Sequence, residues 1–177
     1  MTYQFRREPL RSENIDPLVN ACESFKEKLV VWTLLDTGLR VGEFCTLKPE
    51  NVEWQFERII VHGKGGPFGS RSKRRVVPMT PRVHRLLEVQ FVTHPDMGMT
   101  RRTAQRIVRQ VAGRAGITQH LTPHVLRHTF AVNCARAGVS TASLKKLLGH
   151  DRLETTEIYL NISPEDALRE FREKLLR

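Results

Sequence analysis

Hydrophobic residues between positions 12 and 36 recur at helical spacing. The recurring positions are Phe25, Leu29, Trp32 and Leu35. Side chains three and four residues apart share one face of a helix, so this face is predicted to belong to the core. Ser12 is the predicted N-cap of the helical region, which we expect to be interrupted near Ser24. Gly38 is expected to end it, because glycine adopts the left-handed conformation found at many helix ends.

The hydrophobic period changes after residue 38. The segment "LRVGEFCTL" is predicted to form a turn and a short helix. Two β-branched runs follow, "RIIVHG" and "RRVVPM", on either side of "KGGPFGSRSK". Such runs separated by a glycine-rich segment are typical of a β-hairpin, here with a long, basic and flexible tip.

From Pro81 onward the pattern is helical. The predicted helices cover residues 81–90, 100–114, 123–137, 140–148, 153–159 and 164–176. Thr122-Pro123 and Ser163-Pro164 each combine an N-cap with a proline at the first helical position. Residues 91–100 are predicted to form a loop. The expected fold class is therefore α+β, mostly helical, in a single domain with one small antiparallel hairpin or sheet.

The chain is strongly basic. Its 177 residues include 29 Lys and Arg against 19 Asp and Glu, a net charge of +10. An excess of this size attracts polyanions, most often nucleic acid, although a basic protein without such a partner is an alternative. Charge by itself supplies affinity and no chemistry.

Three widely separated cysteines occur, at Cys22, Cys45 and Cys134. Their odd number and the lack of a CxxC pair argue against a disulfide framework or a zinc finger. They suit a reducing cytoplasm, which is the expected location. The segment "MTYQFRREPLRSEN" contains no signal-peptide core, and no window reaches 18 apolar residues, so neither secretion nor membrane insertion is expected.

Six residues with useful chemistry occur in four short motifs. They are Arg40 in "DTGLRVGE", Lys64 in "VHGKGG", His124 and Arg127 in "TPHVLRHTF", and His150 and Tyr159 in "LLGHDRLETTEIYL". His124 and Arg127 lie three apart on a predicted helix, so one helix could offer an imidazole and a guanidinium to a single phosphate. Taken singly, each of the six has an ordinary explanation as a solvated, capping or core side chain.

In this order the four motifs resemble those of the tyrosine recombinases, the phage-integrase-type site-specific recombinases. "TGLRVGE" is similar to the family's "TGLRxxE", "HGKGG" to its "GKG", "HVLRHTF" to "HxLRHTF", and "LLGHDRLETTEIY" to "LLGHxxxxTTxxY". The resemblance runs from about Ser12 to the end of the chain. It implies the catalytic-domain fold of this family. It also implies an enzyme that cuts and rejoins DNA through a 3′-phosphotyrosyl intermediate, without metal or ATP.

The resemblance implies that three of the motif residues bind the scissile phosphate. Arg40 and Arg127 would bind its oxygens, since a guanidinium binds phosphate bidentately and stays protonated. His150 would donate a further hydrogen bond. Negative charge grows on these oxygens in the transition state, and fixed cations stabilise it.

The remaining motif residues would move protons and form the covalent bond. Tyr159 would be the nucleophile, and His124 the nearby base or proton acceptor. Lys64 would be the general acid that protonates the leaving 5′-oxygen. Lys73 is its competitor, because the hairpin tip is longer than the compact turn of the family.

Two further residues follow the family's pattern. Glu43, one turn beyond Arg40, is expected either to orient that guanidinium through a buried ion pair or to be an ordinary surface carboxylate. His128 is expected either to support the site or to be a core or capping histidine.

Two basic segments are candidate DNA contacts, one along a predicted helix and one beside Lys64 in "SRSKRR". They contain Arg102, Arg106 and Arg109, and Arg71, Lys73 and Arg74, respectively. A solvated face is the alternative for both. Contacts of this kind bind phosphates and do not read the target sequence.

The resemblance implies a tyrosine recombinase catalytic domain over residues 1–177, with the family's N-terminal DNA-clamping domain absent. The segment 164–177 is expected to form a tail helix, packed either in cis or on a neighbouring subunit. The expected partner is double-stranded DNA, bound by a tetramer of this chain, with a monomer possible without DNA. A catalytic-domain fragment and a minimal enzyme are both compatible with this organisation.

Several other functions compete with site-specific recombination. A type IB topoisomerase would share the residues and the covalent step, and a DNA-binding module could keep the fold without catalysis. His124 and His128 could ligate a metal, but "HVLRH" lacks the Glu of HExxH. "HGKGGPFG" begins like a phosphodiesterase motif, but Gly69 replaces the required Asp. No GxxxxGK[ST] loop occurs, and neither a cofactor nor a metal is expected.

Overall fold

The computed structural model describes residues 8–62 and 74–149 as seven α-helices, three β-strands and short 3₁₀ turns. In chain order the elements are α1 (Ile15–Asn20), α2 (Phe25–Thr37), α3 (Val41–Cys45), β1 (Val52–Glu53), β2 (Arg58–His62), β3 (Arg74–Pro78), α4 (Pro81–Thr93), α5 (Arg101–Arg114), α6 (Pro123–Arg136) and α7 (Thr141–Leu148). The predicted fold class, mostly helical with a small antiparallel sheet, is confirmed. Among these helices, none is both long and apolar enough to span a bilayer.

Helix α2 is the central helix of the domain. Its buried side chains extend well beyond one face of the helix, at Leu29, Val30, Val31, Thr33, Leu34, Leu35 and Thr37. The helix packs against α4, α5 and α6. The predicted single apolar face is therefore too narrow, and its first member is misplaced: Phe25, in the first turn, is 41% exposed.

Local signals fix both ends of α2. Ser24 accepts a hydrogen bond from the Glu27 amide, and the Glu27 carboxylate accepts one from the Ser24 amide. This reciprocal pair is a capping box, which satisfies two amides that the helix leaves without partners. Gly38 ends the helix in the left-handed conformation, as predicted, with φ of 62°.

Ser12 does not cap a helix, contrary to the prediction. It is the first residue of a 3₁₀ turn (Ser12–Asn14) whose N-cap is Arg11. Its hydroxyl instead accepts a hydrogen bond from Arg136 Nη1 at 2.9 Å. A tertiary contact with the end of α6 thus replaces the local bond.

The predicted hairpin is present as β2 and β3, and a third strand extends it. β1 pairs with β2, giving the antiparallel order β1-β2-β3. In the β2–β3 register Ile59 pairs with Val77 and Val61 with Arg75. β1 is only two residues long, too short to produce an alternating pattern in the sequence.

The four helices predicted between Pro81 and residue 149 are found within a few residues of their expected ends. Thr80, Thr100, Thr122 and Ser140 each cap a helix by accepting a hydrogen bond from the backbone three residues later. The loop expected at 91–100 is shorter, because α4 continues to Thr93. α7 packs on α6 and β3, over a small core of its own with Phe130, Ala131, Leu144 and Leu148. The packed pair α6 and α7 forms one wall of the cleft that is described in the next subsection.

Candidate active site

A broad cleft of about 2050 Å³ opens between the sheet, α3 and the α6–α7 pair. Arg40, His124 and Arg127 all line it. The structure therefore brings together the three predicted catalytic residues that lie within its described ranges. They come from α6 and from the start of α3, elements far apart in sequence.

The described lining of the cleft is strongly cationic. It includes eight Arg or Lys side chains: Arg40, Arg58, Arg74, Arg75, Arg101, Arg127, Lys145 and Lys146. Two histidines, His62 and His124, and two carboxylates, Glu43 and Glu57, complete its ionisable groups. Cations concentrated in a concave surface create a field that attracts a polyanion.

Gly38 determines how Arg40 enters the cleft. A Cβ at Gly38 would lie 2.3 Å from Phe130 Cδ1, and its φ of 62° is unfavourable for other residues. Glycine is therefore required for the sharp turn between α2 and α3. Arg40 follows as the N-cap of α3, with its side chain 47% exposed in the cleft.

Glu43 holds Arg40 in place, and the predicted ion pair is confirmed. The Glu43 carboxylate accepts hydrogen bonds from Arg40 Nη1 at 2.9 Å and from the Arg40 amide at 2.7 Å. Its side chain is 12% exposed, so it is not an ordinary surface carboxylate. Burial by itself would raise its pKa, but bonds from Arg75 and Arg40 and the charge of Arg75 outweigh burial and lower the pKa to about 2.

Arg127 is almost completely buried at the base of the cleft, with 3% of the residue exposed. Its Nη1 donates to the carbonyl of Gly38, and its Nη2 donates to the carbonyl of Leu148, both at 2.6 Å. These bonds join the turn before α3 to the end of α7. The guanidinium is thereby fixed in orientation.

Three arginines bind the C-terminal end of α7. The carbonyls of Leu147, Leu148 and Gly149 accept hydrogen bonds from Arg75 Nε at 2.9 Å, Arg127 Nη2 at 2.6 Å and Arg40 Nη2 at 3.4 Å, respectively. The last carbonyls of a helix have no partners within it and carry the negative end of its dipole, so cations stabilise them. The next residue in the chain is His150.

Arg75 is the principal cleft residue that the sequence analysis missed. It was included in the basic run "SRSKRR", where a solvated face was the alternative. In the structure the residue is 9% exposed and its side chain forms an ion pair with Glu43. The strand pattern carried the signal, because Arg75 shares the buried face of β3 with Val77. An arginine on a core-facing position requires a carboxylate partner.

His128 lies behind His124 on α6 and is buried, with 7% of the residue exposed. Burial, with a smaller contribution from the neighbouring His124, lowers its pKa to about 4. The imidazole is therefore neutral at physiological pH. A core histidine and a histidine that supports the site would both be buried here, so the role of His128 stays a prediction.

The predicted DNA contacts differ in their positions. Arg74 is exposed and lines the cleft. The helical stripe is also exposed, on the outer face of α5, but its members are not part of the cleft lining: Arg102, Arg106 and Arg109. Arg101, which precedes the stripe, does line the cleft, and a Cβ at Gly42 would lie 2.8 Å from its Nη2.

Five predicted site residues lie outside the described residues. They are Lys64, Arg71, Lys73, His150 and Tyr159. The predicted helices at 153–159 and 164–176, with the Ser163-Pro164 cap, fall there too. Lys64 as the general acid, with Lys73 as its competitor, therefore stays a prediction. The packing of the tail helix, in cis or on a neighbouring subunit, stays open as well.

The sequence profile described as "Phage integrase family" matches residues 8–166. Among curated relatives, tyrosine recombinase XerC of Bacillus pumilus is 30% identical over 158 residues, which cover 81% of this chain and 52% of the relative. Tyrosine recombinase XerA of Pyrococcus horikoshii is 31% identical over 179 residues, covering 93% of this chain and 60% of the relative. The chain thus spans slightly more than half of these relatives.

Solved structures agree with the sequence relatives. A crystal structure of XerA recombinase superposes with a TM-score of 0.79 at 27% identity, covering 96% of this chain and 66% of that chain. The Tn1549 transposon integrase in complex with transposon right end DNA superposes with a TM-score of 0.76 at 20% identity, covering 97% and 67%, and shows the same fold. The chain therefore belongs to the phage integrase family and has the fold of a tyrosine recombinase catalytic domain.

Proposed function

We propose that this chain is the catalytic domain of a site-specific recombinase that cuts and rejoins double-stranded DNA through Tyr159. One observation carries the proposal. The guanidiniums of Arg127 and Arg40 donate to the consecutive carbonyls of Leu148 and Gly149, immediately before His150. Two fixed cations and the start of the segment that contains the nucleophile therefore meet at one point of the cleft.

The cations stabilise the charge that develops during phosphoryl transfer. As the Tyr159 oxygen approaches phosphorus, negative charge accumulates on the non-bridging oxygens. Arg40 and Arg127 are preorganised by Glu43 and by the Gly38 and Leu148 carbonyls, so little reorganisation is needed at that moment. His150 donates a further hydrogen bond to the same phosphate.

Proton transfers accompany the exchange of bonds. The phenol of Tyr159 has an ordinary pKa of about 10, so a base must accept its proton as the oxygen–phosphorus bond forms. His124, which lines the cleft beside Arg127, is that acceptor. The phosphorus–O5′ bond breaks, and Lys64 protonates the departing oxygen. The products are a 3′-phosphotyrosyl link and a free 5′-hydroxyl.

The reverse reaction rejoins the strand. A 5′-hydroxyl attacks the phosphotyrosyl phosphorus and gives its proton back to Lys64, while the phosphorus–Tyr159 bond breaks and the phenolate takes the proton held by His124. Because one phosphodiester bond replaces another of similar energy, the cycle consumes no ATP.

Double-stranded DNA is the proposed substrate, and its backbone would follow the cationic cleft. Lys145, Lys146 and Arg74 line the cleft, and we expect them to contact phosphates that flank the scissile one. Among structures with the same fold, XerH is bound to its difH substrate and the Tn1549 integrase to transposon end DNA. Strand exchange by a tetramer is part of this proposal. The free thiols of Cys22, Cys45 and Cys134 fit a reducing cytoplasm.

Covalent capture tests the proposal directly. Purified protein is incubated without metal or ATP with a pool of nicked duplexes that carry a randomised sequence around the nick. Adducts are separated under denaturing conditions, sequenced and digested to locate the modified tyrosine. The expected result is a limited set of sequences attached to Tyr159.

The two tyrosines of the chain provide a matched control. Tyr159→Phe should abolish the adduct and keep most non-covalent DNA binding, whereas Tyr3→Phe should form it normally. An adduct in Tyr159→Phe would refute the assignment. If the wild-type protein binds DNA but forms no adduct, the non-catalytic alternative is indicated. If it attaches to DNA without sequence preference and relaxes supercoils, a type IB topoisomerase is indicated.

A further inference from the structure

Arg75 has an unusual position for an arginine next to a basic hairpin tip. It is the second residue of β3 and faces the core side of the sheet, opposite Val61 of β2. Its side chain is 8% exposed. Burial of a guanidinium is costly unless every donor direction is matched by an acceptor, so the surrounding acceptors reveal its role.

The Arg75 guanidinium joins three parts of the cleft. Nη1 donates to Glu43 Oε1 at 2.7 Å, and Nη2 donates to Glu43 Oε2 at 2.6 Å. Nε donates to the carbonyl of Leu147 at 2.9 Å. A Cβ at Gly149 would lie 2.8 Å from Arg75 Cδ, so the end of α7 is closely packed on the arginine.

Arg75 and Arg40 share the same carboxylate. Each oxygen of Glu43 accepts one hydrogen bond from Arg75 and one from Arg40. Arg75 is buried and held on both edges, whereas the Arg40 side chain is 47% exposed. The buried arginine therefore sets the plane of the carboxylate, and the carboxylate orients the exposed arginine.

We infer that Arg75 is a positioning residue of the proposed strand-cutting reaction, acting through Glu43 on Arg40 and through the Leu147 carbonyl on the segment that leads to His150 and Tyr159. The inference rests on the proposed function. It assigns Arg75 no contact with the phosphate. Replacing the forked guanidinium of Arg75 should slow covalent capture, because Arg40 and the nucleophile segment would then be misplaced. A misplacement of about 1 Å can reduce the rate of a reaction about 100-fold.

The test compares rates of Tyr159 adduct formation at saturating concentrations of a duplex recovered by covalent capture. Arg75→Gln should slow the rate about 100-fold while DNA affinity changes less than about threefold. Arg75→Lys keeps the charge but loses the fork, and about tenfold slowing is expected. Arg82→Gln is the matched control. Arg82 forms a bidentate pair with Asp36 outside the cleft lining, and its removal should leave the rate unchanged.

A double-mutant cycle separates positioning from general stability. In an Arg40→Lys background, Arg75→Gln should slow the reaction about tenfold rather than about 100-fold, because the route through Glu43 to Arg40 is already disturbed and only the route through the Leu147 carbonyl remains. Equal slowing in both backgrounds would overturn the inference. So would an Arg75→Lys rate equal to wild type, or a rate defect that disappears at higher DNA concentration.

A measurement without DNA keeps the two proposals distinguishable. In protein with ¹³C-labelled glutamate, NMR should show the Glu43 pKa rising from about 2 toward its ordinary value in Arg75→Lys or Arg75→Gln. Failure of the wild-type protein to form any adduct would refute the proposed function. An unchanged Glu43 titration would refute the role of Arg75, whatever the adduct assay shows.

Discussion

Replacing Glu43 by glutamine removes one charge from the centre of the arginine network and changes few other atoms. In the wild-type protein both carboxylate oxygens accept two hydrogen bonds from Arg40 and Arg75. The glutamine amide group instead donates, so on one side it faces donors of the two arginines. The variant therefore leaves the Arg75 guanidinium buried beside a neutral and partly repulsive neighbour.

The magnitude follows from the pKa of Glu43, which is lowered from 4.5 to about 2. The folded protein therefore prefers the ionised carboxylate, and this preference contributes about 3 kcal/mol to stability above the unfolded-state pKa. The contribution decreases as pH falls through the range between the two values. At pH 3 about 1.5 kcal/mol should remain, and below pH 2 the protonated carboxyl should stabilise no more than glutamine.

Urea unfolding of wild type and Glu43→Gln at a series of pH values measures this difference. We expect the variant to be about 3 kcal/mol less stable at pH 7, and the difference to decrease by about half at pH 3. Glu50→Gln is the control, because that side chain is 68% exposed and its ion pair with Lys48 is 3.9 Å long. It should change stability by less than about 0.5 kcal/mol. A Glu43→Gln difference that is small, or equal at pH 7 and pH 3, would refute the reasoning.

Three other changes test separate parts of the structure. Gly38→Ala places a Cβ 2.3 Å from Phe130 Cδ1 at a residue with positive φ. The free energy of unfolding should therefore fall by about 3 kcal/mol in thermal unfolding experiments. An unchanged melting temperature would contradict this packing. Lys145→Gln removes one cation from the cleft. Fluorescence anisotropy should show weaker binding to DNA of every sequence, and the slope of log affinity against log salt concentration should decrease in magnitude by about one. A loss of affinity that depends on DNA sequence would argue against a phosphate contact. Because burial lowers the His128 pKa from 6.5 to about 4, stability should fall by about 3 kcal/mol as pH drops through that range, and His128→Gln should lack this decrease in urea titrations.

Helices α4 to α7 and the β-hairpin were predictable because their signals are local. A hydroxyl N-cap such as Thr122, followed by a proline, acts within one turn, and two short β-branched runs on either side of a glycine-rich segment can be read from neighbouring residues. The four motifs were recognisable for a similar reason. Gly38 is needed for its own backbone conformation and for the space it leaves beside Phe130, so its place in "TGLR" is a short-range requirement that the sequence displays.

Other features depended on contacts that the sequence does not display. Helical periodicity placed Phe25 in the core, but in the first turn of α2 this side chain stays exposed. Ser12 has the chemistry of an N-cap, and the approach of Arg136 gives its hydroxyl a different partner. In both cases the deciding atoms lie on another element.

In the cleft, too, some features follow from local sequence and others from contacts between distant residues. By itself, the sequence determined the helical fold with its hairpin, the basic character of the chain and, among the described motif residues, the three that line one cleft: Arg40, His124 and Arg127. Only the tertiary structure decided which arginines are buried and which face solvent. Arg75 meets Glu43 across 32 residues and Leu147 across 72, and Arg127 meets Gly38 across 89. A guanidinium takes its role from the acceptors around it, and here folding brings those acceptors from distant parts of the chain.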